Sequence, residues 1–133
     1  MIVRQMLPMV AGHGINLKDA RQQMKIMMTV TRELKEGKIY LLFPEGKYGD
    51  NKNTLQDFKA GVFKCAMDAK VPVIPVALID SYKAMDGNSL RKVTTQVRYL
   101  KPIPYEEYKD MKKTELAELT KSRIQEAIDK YAK

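Results

Sequence analysis

The 133-residue sequence contains one cysteine, one histidine and no tryptophan. A lone Cys65 excludes an internal disulfide and fits a reducing compartment. With His13 as the single histidine, these residues cannot build the usual zinc cluster either. Long apolar runs are missing too. The opening stretch, MIVRQMLPMVAG, is apolar but interrupted by Arg4, Gln5 and Pro8, unlike the unbroken core of a secretory signal. No run approaches the roughly 20 residues that cross a bilayer as a helix, so any membrane contact is expected at the surface. Repeats, low-complexity tracts and linkers are also absent. The length fits a single domain, residues 1–133.

What the chain has in excess is positive charge. Lys and Arg number 24 against 16 Asp and Glu, a formal net charge of +8. That balance suits an anionic partner, whether phosphate groups, an acidic membrane surface or nucleic acid. Hydrophobic residues at 44% and charged residues at 30% describe a folded domain rather than a disordered chain.

Periodicity organises the chain. From Asn16, a plausible N-cap, Ala20, Met24, Met27, Met28, Thr31 and Leu34 recur at helical steps, and Gly37 stands where a C-cap belongs. KIYLLF (38–43) has the composition of a buried strand. Phe58, Val62, Cys65, Ala66 and Ala69 give a second amphipathic helix. VPVIPVALI (71–79) is apolar at consecutive positions, as in a strand covered on both faces, although Pro72 and Pro75 imply an open or bulged edge. In VTTQVRYL (93–100), Val93, Thr95, Val97 and Tyr99 alternate with Thr94, Gln96 and Arg98. A last helix is expected over Lys113 to Tyr131, with Leu116, Leu119, Ile124, Ala127, Ile128 and Tyr131 on one stripe. This order predicts an α/β fold with a partly parallel, mixed sheet flanked by helices. Residues 38–79 form its strand–helix–strand unit.

Ligands of open α/β sheets sit beyond the carboxyl ends of the strands, and PEGK (44–47) lies at such an end. Taken alone, Pro44, Glu45 and Gly46 are ordinary turn residues. The functional alternative has Glu45 bonding a hydroxyl or a cationic neighbour, Lys47 holding a phosphate and Gly46 letting the backbone come close. Cys65 falls on the apolar face of its helix, where a packed thiol is expected. Met24, Met27 and Met28 suit a core or interface stripe, or an acyl-chain groove. Lys109, Lys112 and Lys113 read as solvated surface, or as a contact for anionic headgroups.

Three blocks in order, LLFPEGKYG, FKAGVFKCA (58–66) and VPVIPVAL (71–78), resemble the glycerolipid acyltransferase family, which includes the 1-acylglycerol-3-phosphate acyltransferases. The family's Phe-Pro-Glu-Gly-Thr-Arg-Ser block is matched by Phe43, Pro44, Glu45 and Gly46. Its Phe-Lys-x-Gly is matched by Phe58, Lys59 and Gly61, and its Val-Pro-Val-x-Pro-Val by Val71, Pro72, Val73, Pro75 and Val76. Upstream, GHGINLKDARQQMK is similar to the family's Gly and Phe-Ile-Asp-Arg block, with Gly12 and Ile15 in register and Lys18 in place of arginine. Lys47, Tyr48 and Gly49 replace Thr-Arg-Ser, and a lysine lacks arginine's bidentate fork.

The resemblance implies transfer of a fatty acyl group from acyl-CoA or acyl-carrier protein to lysophosphatidate. Glu45, Gly46, Lys47 and Lys18 would bind substrate, and no cofactor is needed. It implies a cytoplasmic protein, peripheral at the membrane face. The family's His-x-x-x-x-Asp block, the general base and its orienting carboxylate, falls before residue 1 in this register. The implied object is thus an N-terminally truncated acyltransferase domain with no catalytic residue in these positions. His13 does not supply the block: Lys18 stands five residues on, and Asp19 one position too late. Two further expectations follow. A domain missing its first strand should self-associate through the exposed edge. The rival class, a small basic nucleic-acid-binding module, has in its favour only dispersed charge, without aromatics interleaved on a basic strand.

Overall fold

The computed structural model describes residues 19–46, 51–84 and 92–132. The expectations placed on His13, Asn16, Lys18 and Lys47 lie outside those residues. Helix α1 spans Ala20–Lys35. Asp19 starts it: its Oδ1 accepts from the backbone N–H groups of Arg21 at 3.0 Å and Gln22 at 3.1 Å, donors that a first turn otherwise leaves orphaned. Gly37, at φ +89°, ends it. The N–H groups of Gly37 and Lys38 return to the carbonyls of Leu34 and Glu33, a Schellman closure. The buried side is not the expected methionine stripe. Val30 is covered and Met27 half-covered, while Met24 and Met28 are 68% and 69% exposed.

KIYLLF takes no regular structure and belongs to no ladder among the described residues. Strand character requires a partner, and no strand among the described residues runs beside it. Tyr40 and Leu42 are half-buried, whereas Ile39, Leu41 and Phe43 are exposed. A 3₁₀ turn, Ala60–Val62, then feeds helix α2, Phe63–Ala69. Of the expected strand 71–79, only Val76–Ile79 is β1. It pairs with β2, Gln96–Tyr99, in the antiparallel sense, with Leu78 opposite Val97. The parallel unit over 38–79 is therefore not formed. The ladder resumes at Val73 and Ile103, which exchange both N–H···O bonds. Its register has slipped by one residue across Pro75 and Pro102, neither of which can donate.

Helix α3 is a single turn, Tyr105–Tyr108, and helix α4, Lys113–Tyr131, has the predicted limits. The first half of α4 buries Leu116 and Ala117 with Phe63, Ile103 and Tyr108. Its second half buries Ile124, Ala127 and Ile128 against Ala77 and Ile79 of β1. The polar side of β2 faces the end of this helix. Arg98 stacks 3.6 Å over the Tyr131 ring and Gln96 Nε2 donates to the Tyr131 carbonyl. The opposite sheet face, with Val97 56% and Tyr99 77% exposed, is open.

Tyr108 is fully buried, and its hydroxyl lies between the carbonyls of Ala66 and Val71, serving the end of α2. Burial, with Tyr105 adding to it, pushes this phenol from 10.0 to about 12. Below the ordinary value both folded and unfolded chains keep the proton. Between 10.0 and about 12 only the unfolded chain releases it, so stability should fall through that window. Tyr108→Phe should cost about 1–3 kcal/mol at neutral pH, because the Val71 carbonyl loses the phenol proton, while the Ala66 carbonyl still accepts from the Val71 N–H. It should also flatten the alkaline decline, read by urea unfolding at successive pH values.

Candidate functional site

Phe43 to Gly46 form a turn closed by the Gly46 N–H on the Phe43 carbonyl at 3.1 Å. Gly46 sits at φ +68°, the left-handed region that glycine enters without penalty. A Cβ there would meet only the Lys59 stem, 3.5 Å away at Cγ, so conformation and not space calls for glycine. The turn is tied to the segment before α2 at two points. The Pro44 carbonyl accepts from the Lys59 N–H at 2.7 Å, and Glu45 Oε2 accepts from the Gln56 N–H at 2.8 Å. The half-buried carboxylate at the centre of the motif thus positions the loop 51–57.

Other groups hold that loop as well. Asn53 and Asp80 bond reciprocally: the Asn53 amide donates to Asp80 Oδ1, and the Asp80 N–H donates to Asn53 Oδ1, both at 2.9 Å. Asp80 is buried and left-handed, φ 59°, directly after β1. The Asn53 amide, followed by the Lys83 ammonium at 2.9 Å, keeps its carboxyl below the usual range. Gln125 of α4 accepts from the Leu55 N–H at 3.1 Å. Lys121 pairs with Asp57 at 2.8 Å, which lowers that acid and raises the lysine, with Glu118 and Glu45 adding to the field.

Behind the turn lies a cavity of about 810 Å³. Its walls are the segment 40–45 with its turn, the loop 51–56, the chain from Val71 to Val76, the open face of the sheet and Thr120, Ile124 and Ile128 of α4. The charged side chains lining it are Glu45 and Lys52. Such a space can take an apolar chain while holding a polar group near one acid and one base.

Of the residues the sequence singled out, Glu45 and Gly46 form the turn at this cavity, while Lys47 and Lys18 lie outside the described residues. Cys65 is 1% exposed, its sulfur 3.2 Å from the Met27 sulfur, and burial pushes its thiol up. It is a packed thiol. Met24, Met27 and Met28 line a separate groove between α1 and α2, not this cavity. Sequence reading missed Lys52 and the clasp of Asn53, Asp80 and Gln125. The Asn-rich GDNKNT signals a turn, but nothing local names its distant partners. Among the described residues no group of His, Cys, Asp and Glu could hold a metal ion, and no helix is long and apolar enough to cross a membrane.

The clasp is testable. Gly46→Ala should cost about 1–2 kcal/mol through its left-handed φ. Glu45→Ala should speed amide exchange at Gln56 while leaving β1 protected. The Asp80 contribution should be intact above the ordinary carboxyl value of 3.8 and lost as pH falls through its lower folded value. Exchange at Thr54 to Gln56 should therefore rise below pH 3.8, and Asp80→Asn should abolish that rise.

Comparison with known proteins adds identity to this geometry. The 1-acyl-sn-glycerol-3-phosphate acyltransferase alpha of Homo sapiens is 38% identical over 68 residues, covering 49% of this chain and 23% of that protein. The 1-acyl-sn-glycerol-3-phosphate acyltransferase of Salmonella typhimurium is 31% identical over 87 residues, 65% of this chain and 35% of that protein. The chain thus spans about a third or less of the length of these relatives. No solved structure matches it. The family model described as Acyltransferase matches residues 2–79, more than half of the chain and all of the Glu45 turn. The chain belongs to the acyltransferase family.

Proposed function

We propose that this chain is the part of a lysophosphatidate acyltransferase that binds the lipid acceptor. The intact enzyme would move a fatty acyl group from acyl-CoA or acyl-carrier protein to the free hydroxyl of 1-acylglycerol-3-phosphate, giving phosphatidate. The observation that carries the reading is the place of the family's Glu-Gly turn. Glu45 stands on the wall of an apolar cavity of about 810 Å³, with Lys52 the cation lining the same space. An acyl chain fits the apolar walls. The acceptor phosphate would fall to lysines: Lys52 at the cavity, Lys47 directly after Gly46 in the sequence, and Lys18 as the resemblance implies.

In the reaction the acceptor hydroxyl oxygen attacks the thioester carbonyl carbon, the thiolate leaves, and a base takes the hydroxyl proton. His13, the single histidine of the sequence, has Lys18 and not an aspartate five residues on. These 133 residues therefore supply binding without proton transfer. No cofactor enters the chemistry, and a peripheral position at the cytoplasmic face of a membrane suits the substrates. Self-association is a second expectation, favoured by the exposed Ile39, Leu41, Phe43, Val97 and Tyr99. Light scattering should show mass rising with concentration, and a clean monomer would contradict it.

An acyl-transfer assay with acyl-CoA and lysophosphatidate should give no turnover from this chain, while equilibrium dialysis shows lysophosphatidate bound. Lys52→Ala and Lys47→Ala should each weaken that binding several-fold, the scale of one exposed charge on a phosphate. Turnover that survives His13→Ala would refute the assignment of roles. Binding indifferent to both lysines would refute the placement of the phosphate.

A further inference from the structure

Met24 and Met28 are about two-thirds exposed on a helix whose neighbour could have covered them. At 3.6 residues per turn, Met24, Lys35, Met28, Arg21, Arg32 and Lys25 follow one another round one arc of α1, roughly 100° wide. Every residue in the arc is a methionine or a cation, and every one is exposed. No acid falls within it. Glu33 lies on the other side of the helix, bonded to Lys38, and Glu36, past the last turn, stands 3.9 Å from Arg32. A groove of about 480 Å³ between α1 and α2 opens along the arc, lined by the three methionines with Arg32 and Lys35, and on the α2 side by Asp68, which is paired with Lys64 at 2.9 Å.

We propose that this arc of α1 is the surface through which the protein docks on a bilayer containing anionic phospholipid. The four cations meet the headgroup phosphates, their long stems letting the charges reach outward while the chain body lies flat. The unbranched thioether side chains of Met24 and Met28 enter the acyl boundary, where a fluid, irregular surface suits their flexibility. A nucleic-acid track has no use for two bare methionines between its phosphate contacts. Protein-interface hot spots are enriched in Trp, Tyr and Arg held in desolvated pockets; the arc has no aromatic, and its two arginines stand exposed. The inference deepens the peripheral membrane position proposed above, and its failure is distinguishable from failure of the acyl-transfer reading, since docking and transfer are measured separately.

Flotation of the full chain with vesicles tests it, because aggregated protein sinks and only bound protein rises. Vesicles of phosphatidylcholine and phosphatidylglycerol in equal parts should carry the protein up; phosphatidylcholine alone should not. Arg21→Glu and Lys25→Glu should each weaken partitioning at least fivefold, and added salt should do the same. Met24→Ser with Met28→Ser, which leaves the charge untouched, should weaken it about tenfold. Lys101→Glu and Lys113→Glu, exposed lysines away from α1, should have little effect. All four sites on α1 are exposed, so folding is checked by unaltered circular dichroism. Absence of flotation, or equal losses from the Lys101 and Lys113 variants, would overturn the proposal. So would duplex DNA bound as tightly as vesicles with no sensitivity to Met24 and Met28.

Discussion

Ile124, Ala127 and Ile128 lie against Ala77 and Ile79 of β1, and Leu116 and Ala117, two turns earlier on the same helix, lie against Phe63, Ile103 and Tyr108. Helix α4 is therefore the common wall on which the sheet and α2 are placed. The candidate site inherits its geometry from that wall. Lys121 and Gln125 leave the same helix to hold Asp57 and Leu55, and Thr120, Ile124 and Ile128 form one side of the cavity. Relative magnitudes decide the order of cause. Each large aliphatic side chain buried by α4 contributes about 1.5–3 kcal/mol, whereas a hydrogen bond such as Gln56 to Glu45 nets about 0.5–1.5 kcal/mol. Apolar packing sets where the loop 51–57 lies, and the hydrogen bonds select its conformation.

The same difference between local and distant causes explains what the sequence could disclose. The limits of α4 and the end of α1 at Gly37 were legible because a helix is written in neighbouring residues: an apolar stripe, a glycine, a break. The strands were not. KIYLLF has every local mark of a strand, yet among the described residues it joins no ladder, since a ladder is a property of two segments. VPVIPVALI suggested burial on both faces. Instead, Ala77 and Ile79 are covered and Leu78 is 41% exposed, because α4 packs on one side only. On α1 the three methionines are equal in hydropathy, and composition could not say that Met27 would be the one half-covered.

The site divides in the same way. Glu45 and Gly46 stood out because a carboxylate and a glycine follow an apolar run, and Gly46 does take the left-handed turn. The reciprocal pair of Asn53 and Asp80 is separated by 27 positions in the chain, and Gln125 lies farther still. No spacing rule reaches that far. The motif was legible where it is backbone chemistry and silent where it is tertiary.

Among the described residues, the segment 61–66 borders two apolar surfaces. Val62, Phe63 and Ala66 line the cavity, while Gly61, Lys64 and Cys65 line the groove beside α1. The surfaces differ in kind. The cavity carries Glu45 and Lys52 among many apolar residues, which suits a single amphipathic molecule, whereas the α1 arc is bare methionine set among cations, which suits an extended anionic interface.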